Sequence, residues 1–201
     1  FDQNYKHNLL IRRVLDEIVE KYDGDRLCED FKKLLEYIKR VWFSNGIHHH
    51  YSTDKFFPAT SKEYFKSVLL SIEKDSLPLN KDEDFDEFVD RITSIIFEKS
   101  IAPKRVSQDA SADLLKASSC NYYENVSEKD AGDFYKNVTS NESGLLSHGI
   151  NSKLIGMNGH LLEKTWKTGG MYGEAIDQIC YFLSRAIDFT ENIKQKKIVS
   201  R

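Results

Sequence analysis

The chain has 201 residues, 40% of them apolar and 12% aromatic. That suffices for one compact domain, or two small ones, with a real core, and it excludes a disordered chain. Its 29 Lys and Arg nearly cancel 32 Asp and Glu, leaving a net charge of -3, so no basic excess suits a phosphate backbone and nucleic-acid binding is not expected.

No window approaches the roughly 18 to 20 consecutive apolar residues that span a bilayer, and no pattern of n-region, h-region and cleavage site is read in its first residues. The expectation is a soluble piece with no membrane span, cytoplasmic in preference, with periplasmic or surface attachment left open. Cys28, Cys120 and Cys180 are widely spaced and include no CxxC pair, which argues for reduced thiols over a disulfide framework or a zinc ribbon. The start at Phe1 and the helical character of Lys194 to Arg201 suggest a piece of a longer polypeptide.

In chain order, the first periodic segment runs from about Asn4 to Tyr22, with Leu9, Leu10, Val14, Ile18 and Val19 on one face and charged residues on the other. It reads as an amphipathic helix ended by Gly24. A second helix is expected from about Glu29 to Phe43, its stripe formed by Phe31, Leu34, Leu35, Ile38, Val41 and Trp42. Ser61 can cap a third over roughly Lys62 to Lys74. A fourth, about Asp84 to Lys99, repeats Phe85, Phe88, Val89, Ile92, Ile95 and Ile96 along its core face. Ser127 with Asp130 suggests a capping box for a shorter helix through Ala131, Phe134, Tyr135 and Val138.

Seven of the ten glycines fall between Gly144 and Gly173, and the pattern changes there. Ile150 to Met157 and His160 to Trp166 are short runs around Asn158-Gly159, the dipeptide favoured in a type I′ turn, so one β-hairpin is expected. After Gly169-Gly170 a long helix is expected from about Tyr172 to Ile198. The fold class is thus α+β, mainly α: a helical region over 1–140 carrying a His-rich loop at 44–58, then a small antiparallel β element and a long C-terminal helix over 141–201. The N-x-[ST] triplets at Asn125, Asn137 and Asn141 are too common a pattern to interpret.

Chemistry-bearing residues concentrate in Asn45-Gly46-Ile47-His48-His49-His50-Tyr51-Ser52-Thr53-Asp54-Lys55-Phe56-Phe57-Pro58, just beyond a helix end, and loops carried on rigid scaffolds are where function collects. In an extended segment His48 and His50 would project to one side, as a pair of zinc ligands can. Two ligands fall short of a site, and the helical H-E-x-x-H pattern is absent. No G-x-S-x-G elbow marks a nucleophile, and neither G-x-x-x-x-G-K-[ST] nor G-x-G-x-x-G is present. The carboxylates Asp82, Glu83, Asp84, Asp86 and Glu87 sit where a helix start favours negative charge.

This loop nonetheless resembles the corresponding segment of bacterial, Bacteroides-type dipeptidyl peptidase III enzymes. The resemblance is seconded, in the family's order, by Asn121-Tyr122-Tyr123, Gly149-Ile150-Asn151-Ser152-Lys153-Leu154, Glu163-Lys164-Thr165-Trp166-Lys167 and Gly169-Gly170-Met171-Tyr172-Gly173. Together these segments span most of the chain. The family's enzymes are two-lobed zinc exopeptidases that release dipeptides from the amino ends of short peptides through a helical H-E-x-x-G-H motif, which this chain lacks. The resemblance implies an amino-terminal, substrate-side portion, inactive alone, with zinc held by a further lobe of the same polypeptide. It also implies a cleft-lining role for Asn45, His50 and Tyr51, to which the loop's Gly46, His48 and Lys55 are added as candidate peptide contacts. No catalytic residue and no metal ligand is expected within the chain. The rival expectation is a stand-alone helical protein-interaction domain without enzymatic activity.

Overall fold

A computed structural model describes residues 4–140 and 148–200; the Asn141 triplet and Gly144 lie outside the described residues. The fold is α+β and mainly α, with eight α-helices and one three-stranded sheet among the described residues. The chain divides into two compact units, residues 1–121 and 122–201.

The first unit is built from α1 (Asn8–Lys21), α2 (Glu29–Ser44), α3 (Lys62–Leu70), α4 (Phe85–Phe97) and the short α5 (Leu114–Ala117). The stripes of α2 and α4 largely follow expectation, whereas on α1 the buried face is Ile11, Val14, Leu15 and Ile18 and the expected Leu9 is 62% exposed; with α3 these faces merge into one core. Ile11, Leu15 and Ile18 of α1, Leu34 and Ile38 of α2, Phe65 and Leu69 of α3, and Phe88, Ile92 and Ile96 of α4 are fully buried. Each such side chain contributes roughly 1.5–3 kcal/mol by leaving water. The helix starts follow local chemistry. The Ser61 side chain accepts from the Tyr64 N–H at 3.1 Å, that of Asp84 from the Asp86 N–H at 2.8 Å, and the Cys28 thiol from the Phe31 N–H at 3.4 Å.

Two ends differ from expectation. Helix α1 starts at Asn8 rather than near Asn4: Tyr5 pairs as an antiparallel bridge with Cys120, and the chain then turns, the Asn8 N–H bonding the Tyr5 carbonyl at 3.0 Å. Helix α3 stops at Leu70 rather than running to Lys74. There the Ser71 hydroxyl donates to the Val68 carbonyl at 2.7 Å, and the N–H groups of Ser71 and Ile72 turn back to Val68 and Leu69 at 3.2 Å each, closing the helix in a tighter turn.

The second unit holds strand β1 (Tyr123–Glu124), α6 (Glu128–Thr139), the hairpin β2 (Ser152–Met157) and β3 (His160–Thr165), then α7 (Gly173–Ala186) and α8 (Ile193–Val199). The sheet order is β1-β2-β3. Strands β2 and β3 are antiparallel, with Ser152 opposite Thr165 and Met157 opposite His160, and Asn158-Gly159 turns between them with φ of 53° and 78°, as a type I′ turn requires. Strand β1 adds a parallel partner on β2 that the sequence pattern did not suggest. Its close approach depends on Gly156, where a β-carbon would stand 2.2 Å from the Asn125 carbonyl oxygen. Ser127 and Asp130 form the expected capping box on α6.

The long C-terminal helix is divided. A 3₁₀ turn at Ile187–Phe189 follows α7, the Thr190 hydroxyl closes onto the Ile187 carbonyl at 2.8 Å, and Asn192 restarts the helix by accepting from the Gln195 N–H at 3.0 Å. Short polar side chains that can bond to their own backbone interrupt a helix that apolar periodicity would continue. No described helix is long and apolar enough to cross a membrane.

Candidate functional site

The 44–58 loop begins where α2 ends. Asn45 takes the left-handed conformation at φ 54°, and Gly46 follows at φ 150° while its N–H bonds the Val41 carbonyl at 3.0 Å, a helix stop of the left-handed kind. Beneath it the carboxamide of Asn8 accepts from the Ile47 N–H at 3.3 Å and donates to the Asn45 carbonyl at 3.5 Å. Ile47, fully buried, anchors the loop in the core, and its carbonyl accepts from the Phe56 N–H at 3.1 Å.

Between these points the chain makes a narrow hairpin-like turn. His48 pairs with Lys55 as an antiparallel bridge, the His49 N–H bonds the Asp54 carbonyl at 2.8 Å, and Thr53 turns back at φ 61°. A second segment clamps the turn from outside. The Lys55 N–H bonds Pro103 at 3.0 Å, the Arg105 N–H bonds Thr53 at 2.9 Å, and the Lys104 ammonium pairs with the Asp54 carboxylate at 2.8 Å.

The candidate residues therefore separate into two faces. His48 and Lys55 point inward, 2% and 6% exposed. The His48 Nε2 lies 2.8 Å from the Ala102 carbonyl and 3.3 Å from the Ser119 hydroxyl, which places the ring proton on Nε2, because a carbonyl only accepts. Its Nδ1 is buried without a hydrogen-bond partner among the described residues. Burial pulls this imidazole below its ordinary value; the Ala102 carbonyl opposes the fall, Lys55 and Arg105 add to it, and Asp54 opposes it. The Lys55 ammonium donates to the carbonyls of Glu98 at 2.7 Å and Ile101 at 2.9 Å and lies 5.2 Å from the centre of the Phe57 ring. Burial pushes it down to about 8, partly opposed by the Glu98 carboxylate.

The outward face carries His49, His50 and Tyr51. The two imidazoles stack with centroids 4.8 Å apart, His50 meets Tyr51 at 4.2 Å, and Phe43 closes the row edge-on to His50 at 5.1 Å. Tyr51 is 84% exposed. The His49 Nδ1 accepts from the N–H groups of Tyr51 and Ser52 at 3.3 and 3.2 Å, so the neutral ring carries its proton on Nε2 as a donor. Beside this row lies a hollow of about 450 Å³ lined by Lys39, Arg40, Phe43, Ser44, His49, His50 and Phe56. That volume lies in the range of small-ligand sites. Of its lining, only His50 was among the sequence candidates. Lys39 and Arg40 read as the solvated face of α2, and only the helix's i, i+4 geometry, which stacks them over Phe43 and Ser44, could have pointed to them.

The alternation expected of an extended segment is broken after His48, so His48 and His50 do not form a matched pair. Among the described residues no group of three His, Cys, Asp or Glu side chains converges as a metal site, and the His48 Nε2 is already engaged by a carbonyl.

In the second unit the segments that carried the resemblance assemble on the sheet. Glu163 of β3 accepts from the Ser152 hydroxyl at 2.6 Å and from the Tyr135 hydroxyl at 3.1 Å, and the Lys153 ammonium reaches the Glu124 carboxylate at 2.5 Å. Burial pushes the Tyr135 phenol up to about 12. Tyr122 stacks on Trp166 at 6.2 Å, and Tyr172 meets the same indole edge-on at 5.8 Å. These contacts tie strand to strand and turn to sheet, a positioning role. A scan against protein-family models matches no family, and a search of curated proteins finds no match.

Proposed function

We propose that this chain is the non-catalytic, substrate-side portion of a dipeptidyl-peptidase-III-like zinc metallopeptidase, a hydrolase of the exopeptidase type. It holds short peptides while bond cleavage belongs to a further, zinc-bearing lobe of the same polypeptide. The observation that carries the reading is the Asn45–Pro58 loop, whose sequence resembles that family and whose outward face offers stacked rings beside a concave surface. Asn45 and Gly46 set the path of the loop; His48 and Lys55 fix its underside; His50 and Tyr51 supply the peptide-facing surface. A peptide lying there would be oriented by a rigid wall, and orientation is a large share of what a hydrolase must provide.

The test has two arms. The purified chain, supplied with zinc, is expected to bind short peptides without releasing dipeptides from a chromogenic arylamide. The polypeptide encoded by the same reading frame extended past Arg201 is expected to carry H-E-x-x-G-H and to release them. Turnover by the 201-residue chain alone, or an extended frame lacking the motif, overturns the proposal.

A second reading, a helical protein-interaction domain without enzymatic activity, is favoured by one observation: α7 contributes no buried residue, and Ile179, Tyr181, Phe182 and Leu183 stand about half exposed or more. Absence of any peptide binding together with stoichiometric association with another protein would select it.

A further inference from the structure

We propose that the hollow beside the loop is a carboxylate-recognition site, so that the peptides held here are anchored by a carboxylate rather than by their backbone alone. The proposal rests on the peptide-holding reading and names the group it selects. Lys39 and Arg40 project from adjacent positions of α2 into the lining, and among the described residues no Asp or Glu joins them there. Neither cation has an ion-pair or side-chain hydrogen-bond partner among the described residues. The nearest aspartate on the loop, Asp54, is engaged by Lys104 at 2.8 Å. In a chain with a net charge of -3, a concave surface whose cations have no ion-pair partner, and whose lining holds no carboxylate, among the described residues is complementary to an anion.

The rest of the lining narrows the class of anion. Phe43 and Phe56 form apolar walls, and the stacked imidazoles add flat faces and the His49 Nε2–H as a donor. A bare phosphate or sulfate would leave these ring walls with nothing to cover. A carboxylate carried on an apolar or aromatic residue would use both halves, its oxygens taking the guanidinium in the paired geometry that Arg favours and its side chain lying on the rings. The volume of about 450 Å³ accommodates one residue of this kind and not a long peptide.

The experiment titrates the full chain, followed by amide chemical shifts, with Ala-Ala-Phe bearing a free carboxylate, the same peptide amidated, and amidated Ala-Asp-Ala. The free acid is expected to bind at least about tenfold more tightly than its amide, as charge-assisted hydrogen bonds of about 1.5–3 kcal/mol imply, with shifts at Lys39, Arg40, Phe43 and His49. Binding of amidated Ala-Asp-Ala at the same residues also supports the site and assigns it to carboxylates generally, whereas its failure assigns it to a terminal carboxylate. Lys39→Gln with Arg40→Gln is expected to remove the acid's advantage and leave the amide unchanged; both residues are exposed, so the melting temperature should hold. Equal binding of acid and amide overturns this inference and leaves the peptide reading standing. If no peptide binds at all, both fall.

Discussion

The side chain of Asn8 occupies the space that a β-carbon at residue 46 would need: built on Gly46, that carbon would stand 2.1 Å from the Asn8 amide nitrogen. The same carboxamide satisfies the buried Ile47 N–H at 3.3 Å, so the start of α1 fixes where the loop leaves α2. Gly46→Ala combines a backbone conformation that side chains rarely adopt with a steric conflict, and is expected to cost about 2–4 kcal/mol. Asn8→Ala leaves a buried N–H unpaired, at about 1–3 kcal/mol. Removing the carboxamide also relieves the conflict, so the double variant is expected to lose less than the sum of the single losses. Urea unfolding of the three variants measures this coupling, and strict additivity would disprove the steric link.

The Tyr37 hydroxyl is buried without a hydrogen-bond partner among the described residues, and the ring, 2% exposed, packs edge-on to Phe56 at 5.9 Å. Burial pushes its phenol far above the ordinary value. Tyr37→Phe keeps the ring contact and removes a desolvated polar group, so it is expected to be neutral or to stabilise by up to about 1 kcal/mol. A loss of more than about 2 kcal/mol on thermal unfolding would mean that the hydroxyl has a partner.

These two residues also show how far the sequence could be read. Tyr37 lies inside a helix whose apolar stripe was legible, since three- and four-residue spacing reports burial directly; its orphaned hydroxyl was not, because satisfaction depends on neighbours from other elements. Gly46 was legible as part of a loop after a helix, but its partner lies 38 residues earlier, and no local pattern links them. The division of the loop into an inward His48 and Lys55 and an outward His50 and Tyr51 was hidden for the same reason: it is set by Pro103, Arg105 and Ser119, distant in sequence. Strand β1, two residues long, is too short to carry a period.

His48 and Lys55 give the loop a pH dependence of one sign. Both are bases that burial makes harder to protonate in the folded state, so in each window the unfolded chain binds more protons and stability rises with pH. For Lys55 the window runs from about 8 to the ordinary 10.5, with a slope bounded by about 1.4 kcal/mol per pH unit. For His48 it lies below the ordinary 6.5, so stability is lost as pH falls beneath that value. The charged His48 would place a second proton on the partnerless Nδ1. His48→Gln should flatten the acid limb of the stability curve relative to the unaltered chain. Lys55→Met should flatten the rise above about 8, read below about pH 10 where tyrosines stay protonated. Parallel curves for variant and unaltered chain would remove either assignment.

Helix α7 shows the opposite balance from α2. Both are amphipathic, but the stripe of α2 is buried, whereas Ile179, Phe182 and Leu183 are 48%, 64% and 49% exposed, and beyond the helix Phe189 is 80% exposed. Side chains that bury little contribute little to folding, so Ile179→Gln, Phe182→Gln and Leu183→Gln are each expected to change stability by less than about 0.5 kcal/mol. The same face is a contiguous exposed apolar patch, which associates or takes up apolar probes when nothing covers it. The chain should therefore enhance the fluorescence of an apolar dye in the native state, and the triple variant should lose most of that signal while its unfolding midpoint holds. A large stability loss with unchanged dye binding would mean that α7 is packed in solution and that the accessible apolar surface lies elsewhere.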